Sequence, residues 1–336
     1  MRGASTTDGF FLGRALCLAT LGSCLVACES APPSSPPGGP GNVAAAAVAD
    51  PSLGPATSAA EPATAFQVSA AEELLDLDGR GTLLLGVVDP VPFRADPLRT
   101  LRARLVRGER ELPWFFADRP LIDARFVADG SAVLVLDGRR RLMRVDCARE
   151  PAERRLAGCA AASGPLDEQV EGPLAVSAGG RHVVYLRGEM PLFDVVRLDL
   201  ETGATELLAA ELPVWSPAVS PDGSAVLLTA SMTGRPELWR LGPGEPLPVQ
   251  VTRTASDDHA RPFPNGPSAP IWVDDLLWFE DPAGLHLMRP DGSLIARHAD
   301  LRSARLLPGS AVVARSRTAP GRFVPVAPRA ARGVAP

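Results

Sequence analysis

The stretch Pro217-Ala218-Val219-Ser220-Pro221-Asp222-Gly223-Ser224-Ala225-Val226-Leu227-Leu228-Thr229 decides the fold, together with Pro236-Glu237-Leu238-Trp239-Arg240-Leu241 and Pro248-Val249-Gln250-Val251-Thr252 behind it. Short apolar runs separated by turn residues read as strands. Asp222-Gly223 supplies the positive-φ backbone of a tight hairpin, and Pro221 stiffens its entry. The preceding segment aligns with it: Pro173-Leu174-Ala175-Val176-Ser177-Ala178-Gly179-Gly180-Arg181-His182-Val183-Val184-Tyr185-Leu186, then Phe193 to Leu200, then Glu201-Thr202-Gly203 and Thr205-Glu206-Leu207-Leu208. Each unit reads strand, turn, strand, loop, strand, turn, strand. Four strands per unit is one blade of a propeller.

Working outward, the same turn recurs at Asp78-Gly79, Asp129-Gly130, Asp274-Asp275 and Pro308-Gly309. Most steps lie in the forties to low fifties, the period of propeller repeats, and the last is shorter. The expected fold is all-β: a propeller of about six four-stranded blades (five to seven) over residues 66–325, the short last blade completed by a strand from an end of the domain. A short helix is a candidate near Ala70 to Leu77.

Ala218-Val219-Ser220-Pro221-Asp222-Gly223-Ser224, an apolar strand and Glu237-Leu238-Trp239 resemble the WD40-like or PD40 repeat of TolB-type propellers. Val251-Thr252 with Asp257-Asp258-His259-Ala260-Arg261-Pro262 is similar to that family's link into the next blade. Gly179-Gly180 lacks the Asp, Asp274-Asp275 lacks the Gly, and a tether stands where TolB has a folded amino-terminal domain. The resemblance implies a module that presents a broad loop surface and a shallow funnel.

The front of the chain carries Arg2 and Arg14, then an apolar run from Ala15 to Ala27 that stops at Cys28. A charged segment followed by an apolar run too short to span a bilayer reads as a signal peptide, residues 1–27, removed on export. Leu25-Val26-Ala27-Cys28 resembles the lipobox of bacterial lipoproteins, which implies cleavage before Cys28 and a lipid anchor (diacylglycerol and palmitate-type chains) on that cysteine; Asp8 departs from the usual pattern. Residues 28–65, Pro-, Ser-, Gly- and Ala-rich, form a tether unable to bury a core, and residues 326–336 a tail of similar character. Glu29 after the cysteine favours the outer over the inner membrane of the cell envelope, the compartment that the resemblance implies.

Of five cysteines, only Cys147 and Cys159 remain beside the lipidated one after cleavage. In an oxidising compartment the pair reads as one disulfide across a hairpin, against two free buried thiols. The net charge of −5 gives no nucleic-acid footprint, and all 34 basic residues are arginines. Arg139-Arg140-Arg141 reads as a solvated hairpin tip.

No nucleophile elbow, phosphate loop or helical His-Glu metal pair occurs, so no catalytic, cofactor or metal residue is assigned. Oligogalacturonate lyases resemble TolB and use several histidines as metal ligands, but their pattern has no match here. Asp257, Asp258, His259 and Arg261 form the densest polar cluster. They read either as a binding rim for a cation or an acidic ligand, or as an exposed inter-blade loop. His286 and His298 read as strand surface. Trp114, Trp215, Trp239, Trp272 and Trp278 are either stacking platforms or one wedge per blade. The functional expectation is a non-enzymatic, lipid-anchored module binding an envelope protein or glycan; the alternative is an envelope polysaccharide lyase or hydrolase with its site at the channel.

Overall fold

The computed structural model describes residues 66–69, 71–78, 81–88, 101–117, 119–127, 130–147, 159–252, 268–306 and 311–326, all within the compact unit Ser58–Pro336. The signal segment, Cys28, the tether and the cluster Asp257, Asp258, His259 and Arg261 lie outside the described residues.

A two-residue strand, β1 (Phe66–Gln67), comes first. Blade 1 holds β2 (Glu72–Leu77), β3 (Thr82–Val88), β4 (Leu101–Arg107) and β5 (Arg110–Leu112). Blade 2 holds β6 (Leu121–Phe126), β7 (Ala132–Asp137), β8 (Leu142–Cys147) and β9 (Cys159–Asp167). Blade 3 holds β10 (Val170–Val176), β11 (His182–Glu189), β12 (Leu192–Asp199) and β13 (Thr205–Leu212). Blade 4 holds β14 (Val214–Val219), β15 (Val226–Ala230), β16 (Glu237–Leu241) and β17 (Val249–Gln250). Blade 5 holds β18 (Ser268–Val273), β19 (Leu276–Asp281), β20 (Gly284–Met288) and β21 (Leu294–His298). Blade 6 holds β22 (Leu301–Leu306), β23 (Val312–Ser316) and β24 (Arg322–Val326).

Within each blade the strands pair antiparallel in sequence order; the pairing of Leu101 with Leu121 runs blade 1 on into blade 2, and Trp114 bridges to Cys159 at the outer strand. The inner strands β2, β6, β10, β14, β18 and β22 contact one another in a closed ring. Blade 6 takes its fourth strand from the front of the domain, β1 pairing with β24. Phe66 stacks on Phe323 at 5.3 Å between ring centroids. The chain is therefore a six-bladed β-propeller closed by its own first strand. Val326, expected to open the tail, is the last residue of β24.

A blade is wedged between two others, so its middle strands bury both faces. This explains the unbroken apolar runs. In β7 every residue is buried: Val133 and Val135 pack towards blade 1, Leu134 and Leu136 towards blade 3. In β15 Val226 and Leu228 face blade 3, and Leu227 faces blade 5. Six apolar clusters result, one at each of the six interfaces.

The repeated turn has one hydrogen-bond pattern. Ser177, Ser220 and Val127 each donate their amide to the residue five further on and accept from the Gly three further on, which sits at positive φ. The Ser177 and Ser220 hydroxyls also accept from the amides of His182 and Ala225. In blade 1 Asp78 plays that part in a turn one residue tighter, and its positive-φ glycine is Gly81, two positions after the expected Gly79, which lies outside the described residues. Gly223 meets two demands: its φ is +79°, and a Cβ there would come within 2.0 Å of the His182 ring on blade 3. Asp222 is held down at about 2 by bonds from the Ser220 hydroxyl and from the amide and hydroxyl of Ser224. Asp274, with φ +50°, makes the two-residue turn of blade 5.

The candidate helix near Ala70 to Leu77 is instead β2. A register shift between Leu74 and Asp76 lets Leu74 and Leu77, three residues apart, pack in the same cluster, which imitates helical spacing. Cys147 and Cys159 are register partners in β8 and β9 and are joined by a disulfide. Arg139-Arg140-Arg141 is only in part a solvated tip. Arg140 reaches Glu171 at 2.8 Å and the carbonyl of Gly188 on blade 3, and Arg141 pairs with Asp137 at 2.7 Å. Such reach across a blade interface needs the ring and has no local sequence signal.

Candidate functional site

All six inner strands line a cavity of roughly 670 Å³ at the centre of the ring. Each of those strands carries a register shift against its partner. Bulges re-aim side chains, and here they turn residues of a strand that would alternate between two blade interfaces towards the central space.

The two halves of the lining differ. Blades 6, 1 and 2 contribute Glu73, Asp76, Asp123, Arg125 and Arg305. Blades 3, 4 and 5 contribute Pro173, Pro217, Ala218, Pro270, Ile271 and Trp272, with Ser177 and Ser216 as the polar exceptions among the described residues.

The charges are fixed by backbone groups of neighbouring inner strands, which carry amides and carbonyls left over because those strands do not ladder with each other. Asp76 accepts from the amide of Leu77 at 2.8 Å and from that of Phe126, one blade on, at 2.7 Å. Asp123 repeats the arrangement, accepting from Ala124 at 2.8 Å and from Leu174, again one blade on, at 2.7 Å. Arg125 donates to the carbonyls of Leu75 and Leu174 and pairs with Asp123 at 3.3 Å. Arg305 donates to the carbonyls of Leu74 at 2.9 Å and Ala304 at 2.9 Å, and to Glu73 at 3.1 Å.

Burial pushes Asp76 up to about 6, against the pull of Arg125, its two amide donors and Arg305. Burial also opposes the charge on Arg125, but Asp123, Asp76 and Glu73 outweigh it and hold that guanidinium above its ordinary value. Arg305 falls below its ordinary value because burial and the nearby Arg125 outweigh Glu73, Asp123 and Asp76.

The aromatic and histidine residues of the sequence reading divide. Trp114, Trp239 and Trp278 are buried between blades, with the Trp114 indole donating to the Ala103 carbonyl at 3.0 Å. They are not one per blade: blades 4 and 5 hold two tryptophans each, and blades 2, 3 and 6 none. Trp272 alone of the five lines the cavity, its indole nitrogen donating to the Asp274 carbonyl at 3.0 Å. His286 is buried rather than on a strand surface; it stands 2.8 Å from Asp281 and stacks on Phe279 at 4.8 Å. His298 stacks on Trp278. Among the described residues no group of three or more His, Cys, Asp or Glu has the arrangement of a metal site, and no helix is long and apolar enough to cross a membrane.

No family model and no curated protein matches this chain. Several solved structures are similar in fold. TolB from Acinetobacter baumannii is 13% identical with a TM-score of 0.48, the match covering 73% of this chain and 64% of that one. The chain thus spans less than two thirds of that TolB. A TolB-type protein of Agrobacterium tumefaciens is 17% identical with a TM-score of 0.47, over 69% of this chain and 82% of that one. A gluconolactonase from Xanthomonas campestris is 14% identical with a TM-score of 0.45, over 80% and 99% respectively. At these levels the likeness is one of fold.

The sequence reading missed Glu73, Asp76, Asp123, Arg125 and Arg305, and named Trp272 only as one of five candidate stacking platforms. The available signal was a charge inside a short apolar strand just before a turn, as in Leu74-Leu75-Asp76-Leu77 and Ala304-Arg305-Leu306.

Proposed function

We propose that this protein is a lipid-anchored binding module of the cell envelope, without catalytic activity of its own, that engages a protein or glycan through its central cavity and the loops around it. The observation that carries this reading is the cavity's construction. It is within the range of ligand sites in volume, and its mostly apolar lining carries five charged side chains, all on one side. Its carboxylates Asp76 and Asp123 each accept an amide from the next blade, so both serve first to hold neighbouring blades together. The lipid anchor rests on the charged and apolar leader ending at Leu25-Val26-Ala27-Cys28, and placement in the outer membrane on Glu29. The rim residues Asp257, Asp258, His259 and Arg261 remain part of the proposed binding surface.

The test is capture of partners from a crosslinked envelope with the full mature chain as bait. One protein or glycan should be enriched, and the enrichment should fall when the cavity is narrowed by Ala218→Trp. Metal-dependent cleavage of an envelope polysaccharide with no captured partner would reverse the reading in favour of an enzyme. Cys28→Ala should move the protein from the membrane to the soluble fraction and remove the lipid mass.

A further inference from the structure

The charges in the cavity are unequal in number and unequally answered. Three carboxylates, Glu73, Asp76 and Asp123, face two guanidiniums, Arg125 and Arg305. Every nitrogen of both guanidiniums already has an acceptor: the carbonyls of Leu74, Leu75, Leu174 and Ala304, and the carboxylates of Glu73 and Asp123. An incoming anion would meet guanidiniums already engaged by these acceptors, in a cavity where carboxylates outnumber them three to two. Asp76 differs: its two oxygens receive one backbone amide each, and the arginines beside it pair with Asp123 and Glu73 instead. A carboxylate oxygen accepts more than one hydrogen bond, so Asp76 keeps capacity for a donor.

The opposite wall complements it. In a ring of six, blade 1 faces blade 4, and Pro217 and Ala218 of blade 4 with Ile271 and Trp272 of blade 5 offer apolar and aromatic surface across the cavity from Asp76. An aromatic face also attracts a cation directly.

We infer that the cavity is a site for an ammonium group carried on an apolar stem, the ammonium donating to Asp76 and the stem packing on Pro217, Ile271 and Trp272. The ammonium comes either from a free amine or from a lysine side chain of the partner; this inference rests on the binding-module reading above.

Calorimetric titration of the mature chain carrying Cys28→Ala, which avoids detergent, tests it with hexylamine, 2-phenylethylamine, hexanol and hexanoate as probes. The two amines should bind at least tenfold more tightly than the alcohol or the carboxylate. Their affinity should drop at least fivefold between pH 7.5 and pH 5, as Asp76 takes up a proton among Glu73, Asp123, Arg125 and Arg305. Asp76→Asn should weaken both amines at least tenfold, and Trp272→Ala, which leaves the carboxylate in place, should weaken 2-phenylethylamine more than hexylamine. N-acetyl-lysine methylamide separates the sources: binding as tight as hexylamine points to a partner's lysine, and binding tenfold weaker to a free amine. Equal or tighter binding of hexanoate, or amine binding indifferent to Asp76→Asn and to pH, would overturn the inference. Partner capture from envelopes that persists while no amine binds would overturn this inference alone and leave the binding-module reading standing.

Discussion

The two walls of the cavity meet one structural demand by opposite means. Inner strands of adjacent blades lie side by side without laddering, so each exposes amides and carbonyls along the centre of the ring. On blades 6, 1 and 2 side chains answer them: Asp76 and Asp123 take amides of Phe126 and Leu174, and Arg125 and Arg305 cover carbonyls. On blades 3, 4 and 5 one donor is removed from each inner strand, because Pro173, Pro217 and Pro270 have no N–H. Removing a donor leaves an apolar wall, whereas satisfying it leaves a charged one. The division of the cavity is thus a by-product of how the blades are tied together, and the same groups then define what fits inside.

If that is so, the charged wall should be far more sensitive to substitution than the proline wall. Asp123→Ala strands the amide of Leu174 and the charge of Arg125, and should lower the free energy of unfolding by about 3 kcal/mol in urea denaturation. A loss below about 1 kcal/mol would show that the staple contributes little. Asp76 gives a smaller effect with a distinct pH signature. In the folded protein it binds its proton up to about pH 6, in the unfolded chain only up to its ordinary 3.8. The native state therefore holds the extra proton between those limits, and wild-type stability should fall by about 2 kcal/mol relative to Asp76→Asn as pH rises from 4 to 6, with a constant difference above 6.5. A difference flat from pH 4 to 7 would place Asp76 in water rather than in the wall. Pro217→Ala restores a donor on the wall that lacks one, and thermal unfolding should register a loss of only about 0.5 kcal/mol.

This contrast also explains what was legible in the sequence. Turns are local: Ser220-Pro221-Asp222-Gly223 and Ser177-Ala178-Gly179-Gly180 state their geometry within four residues, and counting them gives the six blades. The closing strand was legible as the complement of a short last blade, and the Cys147–Cys159 pair as neighbours on a hairpin. The charged wall was not. Asp76 and Phe126, like Asp123 and Leu174, meet only because one blade follows another around a ring, and Arg305 reaches Leu74 from 231 residues away. Each charge taken alone is one polar residue in a short strand, which sequence patterning reads as the solvent face.

The closing strand also orders events during synthesis. Phe66 and Gln67 are made before any blade, yet their partners Arg322 and Phe323 are made after five blades and most of the sixth. The first strand must wait unpaired while every other sheet is completed, and closing so long a loop is among the slower contacts a chain can make. A product halted before Arg322 would hold its blades in an open arc, with Val313 of blade 6 and Leu74 of blade 1, joined in one cluster in the finished ring, short of their seal by Phe66 and Phe323. The ring therefore carries its own completeness check, met only when the last strand has been made.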